Sequence, residues 1–182
     1  MHTRLSSGFH LDKGVCTKNI VINVIKKTTT TEVRSTNIEI TVRNFILTHF
    51  QGIMKGQKTP TFLLLIDTAQ VCGIAGDTAC VATQNQFKTF NLVTKLDATG
   101  KMWLISGQVQ NVAKPAAGKS LSNVQVIARF YDINGNNVGG LQQVPVTPAT
   151  LKSFQSGAFN IKAPKSAMTG TPSFVRLEYV TK

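Results

Sequence analysis

Apolar and polar residues alternate along the second half of this chain, from about residue 87 onward. Alternation with a period of two is typical of strands that bury one face and expose the other. The segments with this pattern are residues 90–96, 101–112, 124–133, 136–146, 158–163 and 173–180. With turn residues between them, they predict an all-β fold, an antiparallel β-sandwich of six to seven strands covering residues 83–182.

The same alternation predicts which side chains form the core. The expected inward residues are Trp103, Ile105, Gly107 and Val109 in the second segment, Val124, Val126, Ala128 and Phe130 in the third, and Val175, Leu177 and Tyr179 in the last. Side chains of this kind from two sheets interdigitate to form the core of a sandwich.

Glycines mark the predicted turns. Asn134-Gly135 is the strongest hairpin signal in the chain, because a type I′ turn needs two residues that accept a positive φ. Gly139 and Gly140 then interrupt the next strand and predict a bulge or a sheet edge there.

Residues 1–53 are patterned poorly as a domain and precede the predicted sandwich. Residues 19–25 and 37–47 are rich in β-branched side chains, which favours strands, and the polar run KKTTTTEVRST separates them. A pair of strands without further partners is marginal in water. If Met54 is the initiator, this region is non-native upstream sequence.

Residues 54–82 resemble a secretory signal in their order of composition. Lys55 and Lys58 precede an apolar stretch from Phe62 to Ile66, and small residues lead to Ala82, the predicted cleavage site. Asp67 opposes this interpretation, because a charge in the centre of a membrane helix costs about 2.5–3.5 kcal/mol. The alternatives are a buried helix or strand of the fold and, less favoured, a membrane anchor. Cleavage near Ala82 predicts an exported protein of the envelope or extracellular space, and N-terminal sequencing tests it.

Cysteine and histidine occur only before residue 83. The three cysteines are Cys16, Cys72 and Cys80, and no C-x-x-C spacing is present. Three cysteines cannot all pair within one chain, so the sequence predicts neither a disulfide framework nor a zinc site.

The predicted sandwich also lacks the usual catalytic groups. From Thr83 onward there is no histidine to act as a general base, and the acids are Asp97, Asp132 and Glu178, two of which fall at turns. We therefore expect no enzymatic activity, no metal and no cofactor.

The chain is strongly basic, with a net charge of +12. Such a surface attracts anions in general, although a solvated basic surface with no partner gives the same composition. The candidate contact residues for an anionic partner are Lys114, Lys119, Lys162 and Lys165, which fall in two predicted loops. An anionic envelope polymer, a lipid surface or another protein are the expected partners. The alternative is a cytoplasmic module that binds nucleic acid, which the scattered lysines make less favoured.

The run from Asn123 to Val138, NVQVIARFYDINGNNV, resembles the FxLYD domain family. The resemblance covers residues 100–180, including Ile105 to Asn111 and Leu151 to Phe159, and implies an immunoglobulin-like sandwich attached to exported or envelope proteins. Ala128 stands where the family motif has its first phenylalanine, so we expect the core volume to be redistributed. The family has no assigned activity, and its motif is structural.

The motif residues are predicted to have structural roles. Phe130 fills the core, and Tyr131 lies on the opposite face with its hydroxyl at the rim. Asp132 accepts backbone N–H bonds in the turn that contains Asn134 and Gly135.

Overall fold

The computed structural model describes residues 4–5, 9–10, 34–50, 60–113 and 120–182. The chain divides into two compact units, Met1–Asn37 and Ile38–Lys182. In the first unit, strand β1 (Arg4–Leu5) pairs with β2 (Phe9–His10) in antiparallel fashion. The predicted strand at residues 19–25 lies outside the described residues.

The described elements that follow are mostly strands. They are helix α1 (residues 34–49), β3 (Leu64–Ile66), α2 (Thr68–Ile74), α3 (Thr78–Gln84), β4 (Phe87–Leu96), β5 (Met102–Asn111), β6 (Gln125–Tyr131), β7 (Gln142–Pro145), β8 (Ser156–Pro164), a short 3₁₀ helix (Lys165–Ala167) and β9 (Phe174–Val180). The prediction of a mostly β fold is confirmed.

Seven of these strands form two sheets. One sheet has the order β3-β9-β6-β7, and the other has the order β4-β5-β8. All the strand pairs of the second unit are antiparallel except β3 and β9, which are parallel with Leu65 opposite Val175. The last described strand, β9, therefore lies inside its sheet, between β3 and β6.

The two sheets contribute to one hydrophobic core. The predicted inward side chains of β5, β6 and β9 are buried in it, including Trp103, Val126 and Phe130, whereas Gly107 is only partly buried. Ala128 is fully buried on the same face, and Trp103 is the largest side chain in this core. The period-two pattern predicted these positions correctly because each of these strands keeps its alternation over its full length.

The prediction of a strand at residues 37–47 is wrong, because helix α1 covers this segment. The buried residues Val42, Phe45 and Ile46 recur at helical spacing, and Ile38 packs beside them. They cover Tyr131 and Phe174 on the outer face of the four-stranded sheet. Burial of this apolar stripe outweighs the weak helix propensity of its β-branched residues.

Residues 60–84 are part of the second unit. Asp67 begins α2 and Asp77 begins α3 by accepting backbone N–H bonds from Gln70 and Cys80, at 3.2 and 3.1 Å. Asp67, the acid that opposes the signal interpretation, thus acts as a helix cap, and so does Asp77. Cleavage after Ala82 stays a prediction, and such a cut would remove β3 and α2. Among the described residues, no helix is long and apolar enough to cross a membrane.

Cys72 and Cys80 form a disulfide that joins α2 to α3. The expectation that cysteine has no disulfide role is therefore wrong for this pair. Two short helices separated by the turn at Gly76 bring the two sulfur atoms together, and their spacing of eight residues carries no recognisable motif. Cys16 lies outside the described residues.

The turn between β6 and β7 differs from the predicted type I′ hairpin. Gly135 has a φ of +78°, but Asn134 is not among the residues with positive φ. The Gly135 N–H donates to the Asp132 carbonyl at 3.0 Å, and the Asp132 carboxylate accepts N–H bonds from Asn134 and Asn136, both at 2.9 Å. The predicted role of Asp132 is confirmed, and it closes a longer turn in which Gly135 alone is left-handed. Gly139 and Gly140, also with positive φ, precede β7, which is an edge strand as predicted.

Candidate functional site

One face of the β4-β5-β8 sheet faces away from the core. Side chains on this face include Lys88, Val93 and Lys95 of β4, Gln108 of β5, and Asn160 and Lys162 of β8, all of them exposed. We call this surface the open face. By contrast, the corresponding face of the other sheet carries helix α1.

A β-bulge in β4 brings two lysines onto the open face. The pairing of β4 with β5 shifts between Phe90 and Val93, and Asn91 adopts a φ of +53° at this point. Lys88 and Lys95 are seven residues apart, an odd spacing that places them on opposite faces of a regular strand. The extra residue of the bulge reverses the alternation, so both lysines point outward.

The lysines lie at the two ends of the open face. At one end, Lys95 is in register with Leu104, which is in register with Lys162. At the other end, Lys88 is in register with Gln110. Gln110 and Leu104 are separated by about 20 Å along β5, at the usual rise of a strand. None of the outward side chains of these three strands is a carboxylate.

An open depression of about 700 Å³ lies between these ends, where the open face meets the edge of β7. Its lining contains the amides of Asn91, Gln108 and Asn160, the hydroxyls of Ser106 and Thr147, and no charged side chain. The Asn91 amide donates to Gln108 Oε1 at 3.2 Å, and the ring of Phe90 lies on the strand position paired with Gln108. The centre of the open face is therefore polar and neutral.

An exposed aromatic ring, Phe154, lies at the Gln110 end of the open face. Its side chain is 56% exposed, and its φ of +61° is unfavourable for a residue other than glycine. Hydrogen bonds fix this conformation, because its N–H donates to the Asn111 carbonyl at 2.7 Å and its carbonyl accepts from the Gln110 amide at 2.9 Å.

The four lysines predicted from the sequence do not form one site in the described residues. Lys114 and Lys119 lie outside the described residues. Lys162 lies within β8 on the open face, so its assignment to a loop is wrong. Lys165 is exposed in the 3₁₀ helix that follows β8, and its N–H donates to the Lys101 carbonyl at 2.9 Å. Lys88 and Lys95 were missed, because only the bulge brings them to this face.

Tyr131 is buried on the outer face of the four-stranded sheet. The prediction that Tyr131 lies on the face opposite to Phe130 is confirmed. The Tyr131 hydroxyl is not at the rim, however, because helix α1 covers it. The hydroxyl accepts from Arg176 Nε and donates to Glu39 Oε1, both at 3.1 Å. Burial raises the pKa of Tyr131 to about 12.

Arg176 is a buried cation beside two carboxylates. Its side chain is 3% exposed, and its nitrogen atoms lie 3.6 Å from Glu39 and 3.5 Å from Glu178. Arg129 also contacts Glu178 at 3.5 Å. The ion pair between Arg176 and Glu39 connects α1 to β9 of the four-stranded sheet.

A second cavity, of about 280 Å³, lies between the α2–α3 segment and β4. Tyr179 lines it, and its hydroxyl forms a 2.5 Å hydrogen bond with that of Thr89. Burial raises the pKa of Tyr179 to about 12. The amide of Gln84 also lines the cavity and is bound to the backbone of Tyr179.

The three acids after residue 83 each have structural partners. Thr99 donates to Asp97 at 2.7 Å, which lowers the pKa of that carboxyl, and the Lys101 and Met102 N–H groups add to the effect. Asp132 closes the β6–β7 turn and Glu178 pairs with arginines. Within the described ranges, no group of three His, Cys, Asp or Glu side chains is arranged to hold a metal ion.

Comparisons of the chain with protein-family models, with curated proteins and with solved structures gave no match.

Proposed function

We propose that this protein is a non-catalytic, exported β-sandwich module that binds an anionic polymer of the cell envelope through the open face. The observation that carries the proposal is the distribution of charge on that face. Lys88, Lys95 and Lys162 are exposed there, and the outward positions of the three strands include no carboxylate. A surface of one sign attracts polymers of the opposite sign and steers their approach.

The immunoglobulin-like type of the sandwich is part of the proposal. It is supported by the strand orders β4-β5-β8 and β9-β6-β7, which correspond to strands A-B-E and F-C-C′ of immunoglobulin domains. In this assignment β3 occupies the place next to strand F. The resemblance of residues 100–180 to FxLYD domains is consistent with the same assignment.

Export of a chain that keeps residues 60–84 is supported by the disulfide between Cys72 and Cys80, because disulfides persist mainly in oxidising compartments. Cleavage after Ala82 would remove both cysteines, so the disulfide does not support that cut. The test is fractionation of the native host followed by N-terminal sequencing of the recovered protein. Recovery with the envelope or the medium supports export, and the mature N-terminus decides whether Ala82 is a cleavage site. Recovery in the cytoplasm alone contradicts this part of the proposal.

The binding test uses the double variant Lys95→Gln, Lys162→Gln. Both lysines are exposed and in register with Leu104, so their loss is not expected to disturb the core. At about 1 kcal/mol for each lysine near an anionic surface, affinity for an acidic polysaccharide is expected to fall at least tenfold. Binding of the unmodified protein should weaken steeply with added salt.

The matched control is Lys152→Gln, Lys182→Gln, which removes the same charge from exposed positions outside the open face. Equal losses in the two variants would mean that net charge alone drives binding, and the open face would be rejected. Salt-sensitive binding to single-stranded nucleic acid without binding to the polysaccharide would favour the nucleic-acid module instead.

A further inference from the structure

We infer that the polymer bound at the open face is an acidic polysaccharide, whose sugar rings occupy the amide-lined depression while its carboxylates reach the lysines at either end. This inference rests on the proposed binding function and names the class of ligand. It assigns a separate role to the neutral centre of the face.

The chemistry of the depression favours sugars over other polyanions. A sugar ring presents hydroxyl groups at its edge, which both donate and accept hydrogen bonds, and C–H groups on its faces. The side-chain amides of Gln108 and Asn160 supply donors and acceptors in fixed pairs. The exposed ring of Pro145 in β7, which lines the depression, offers an apolar surface for a sugar face.

The spacing of the lysines defines the length of the ligand. The row with Lys88 and the row with Lys95 and Lys162 are about 20 Å apart, with the depression between them. A single acidic sugar cannot reach both rows, whereas a chain of several residues contacts both of them and the depression. Tight binding therefore requires an oligomer.

The neutral centre also distinguishes this site from one for nucleic acid or for a membrane surface. A nucleic-acid strand carries a phosphate at every residue, and a cationic groove usually follows it throughout its length. Here the lysines are confined to the ends, and the depression between them has no charged lining residue. An open concavity of about 700 Å³ also suits a flexible chain better than a planar lipid surface.

The experiment compares polygalacturonate, inorganic polyphosphate, single-stranded DNA and anionic lipid vesicles as probes of the full chain. The test variant is Gln108→Ala, Asn160→Ala, which removes two amides from the depression without changing the charge. Its control is Gln125→Ala, Gln143→Ala, two amides on the other sheet. The emission of Trp103, which is buried in the core, reports whether each variant is folded.

We expect the test variant to bind polygalacturonate at least about fivefold more weakly, with polyphosphate binding unchanged. The control variant should bind both probes as the unmodified protein does, and monomeric galacturonate should not compete. Equal affinity of the test variant and the unmodified protein for polygalacturonate, or tighter binding of DNA or vesicles than of polygalacturonate, would overturn the inference. The Lys95→Gln, Lys162→Gln variant tests the proposed function independently, because it measures the binding of any polyanion. Unchanged affinity in that variant would reject anionic binding at the open face, whatever the ligand.

Discussion

At the scale of single residues, the side chain of Gln84 takes the place of a strand. Strand β3 pairs with β9 only from Phe174 to Arg176, and the chain then leaves the sheet. Beyond this point, the Gln84 amide donates to the Tyr179 carbonyl at 3.0 Å and accepts the Tyr179 N–H at 2.9 Å. Thr68 donates its hydroxyl to the Leu177 carbonyl at 2.5 Å. Two side chains thus satisfy backbone groups that a longer β3 would have paired.

We predict that Gln84→Ala lowers the free energy of unfolding by about 1–3 kcal/mol, because it leaves the N–H and carbonyl of Tyr179 without partners. Urea denaturation followed by Trp103 fluorescence measures the loss. Gln86→Ala removes a surface amide two residues away and should change stability by less than about 0.5 kcal/mol. Indistinguishable stabilities for the two variants would contradict this role of Gln84.

At the scale of elements, helix α1 depends on a glycine in the β6–β7 turn. A Cβ atom added to Gly135 would lie 2.7 Å from the Cα of Arg43 in α1. Gly135 also has a positive φ. The glycine is therefore required both by the conformation of the turn and by the close approach of the helix.

Gly100 provides a matched comparison, since it also has a positive φ but has open space around the position of its absent Cβ. We expect Gly100→Ala to cost about 1 kcal/mol for the left-handed conformation alone. Gly135→Ala should cost about 1–3 kcal/mol more, because the helix must shift. Thermal and urea unfolding of both variants measures the difference. Equal costs would show that α1 does not press on the turn.

The sequence predicted elements well where one physical signal dominates. Strands β5, β6 and β9 pair in continuous register, so the side chains that they bury between the two sheets could be identified from period alone. The burial of Tyr131, Phe174 and Arg176 on the other face of the sheet could not. Helix α1 could not, since its β-branched residues favour strands locally and only the sheet beneath it selects the helix. Because the sequence did not predict that a helix covers this sheet, it also did not predict the burial of the Tyr131 hydroxyl.

The open face could be predicted only in part. The outward position of Lys162 follows from the alternation of β8. Lys88 and Lys95 lie on the same face only because of the bulge at Asn91. The segment FKTFNLVTKL contains no residue pattern that marks this one-residue shift of register. The disulfide between Cys72 and Cys80 could not be predicted either, because it depends on how the two short helices α2 and α3 are arranged.

At the scale of the whole molecule, the two tyrosines link stability to alkaline pH. Tyr131 and Tyr179 are the only tyrosines in the chain, and both have a pKa raised to about 12 by burial. In the unfolded chain a tyrosine titrates near pH 10. The native state therefore holds these protons more tightly, and this contribution to stability is fully present below pH 10 and is lost as pH rises towards 12.

We predict that tyrosinate absorbance remains low at pH 10 to 11 and that its increase coincides with the loss of the folded circular dichroism spectrum near pH 12. Spectrophotometric titration alongside circular dichroism makes the measurement. The same titration in denaturant should give an ordinary midpoint near 10. Titration near pH 10 with the fold intact would show that the hydroxyls are accessible.

The central place of β9 has a consequence for how the protein is made. Ribosomes synthesise a chain from its N-terminus, and β9 (Phe174–Val180) is the last of the described strands to leave the ribosome. In the four-stranded sheet, β9 lies between β3 and β6, and helix α1 packs on the same sheet. This sheet therefore lacks one of its two central strands until translation has passed residue 180. The native core therefore cannot be complete before residue 180 has been synthesised, and up to that point the nascent polypeptide is in the unfolded condition that threading through a translocation channel requires.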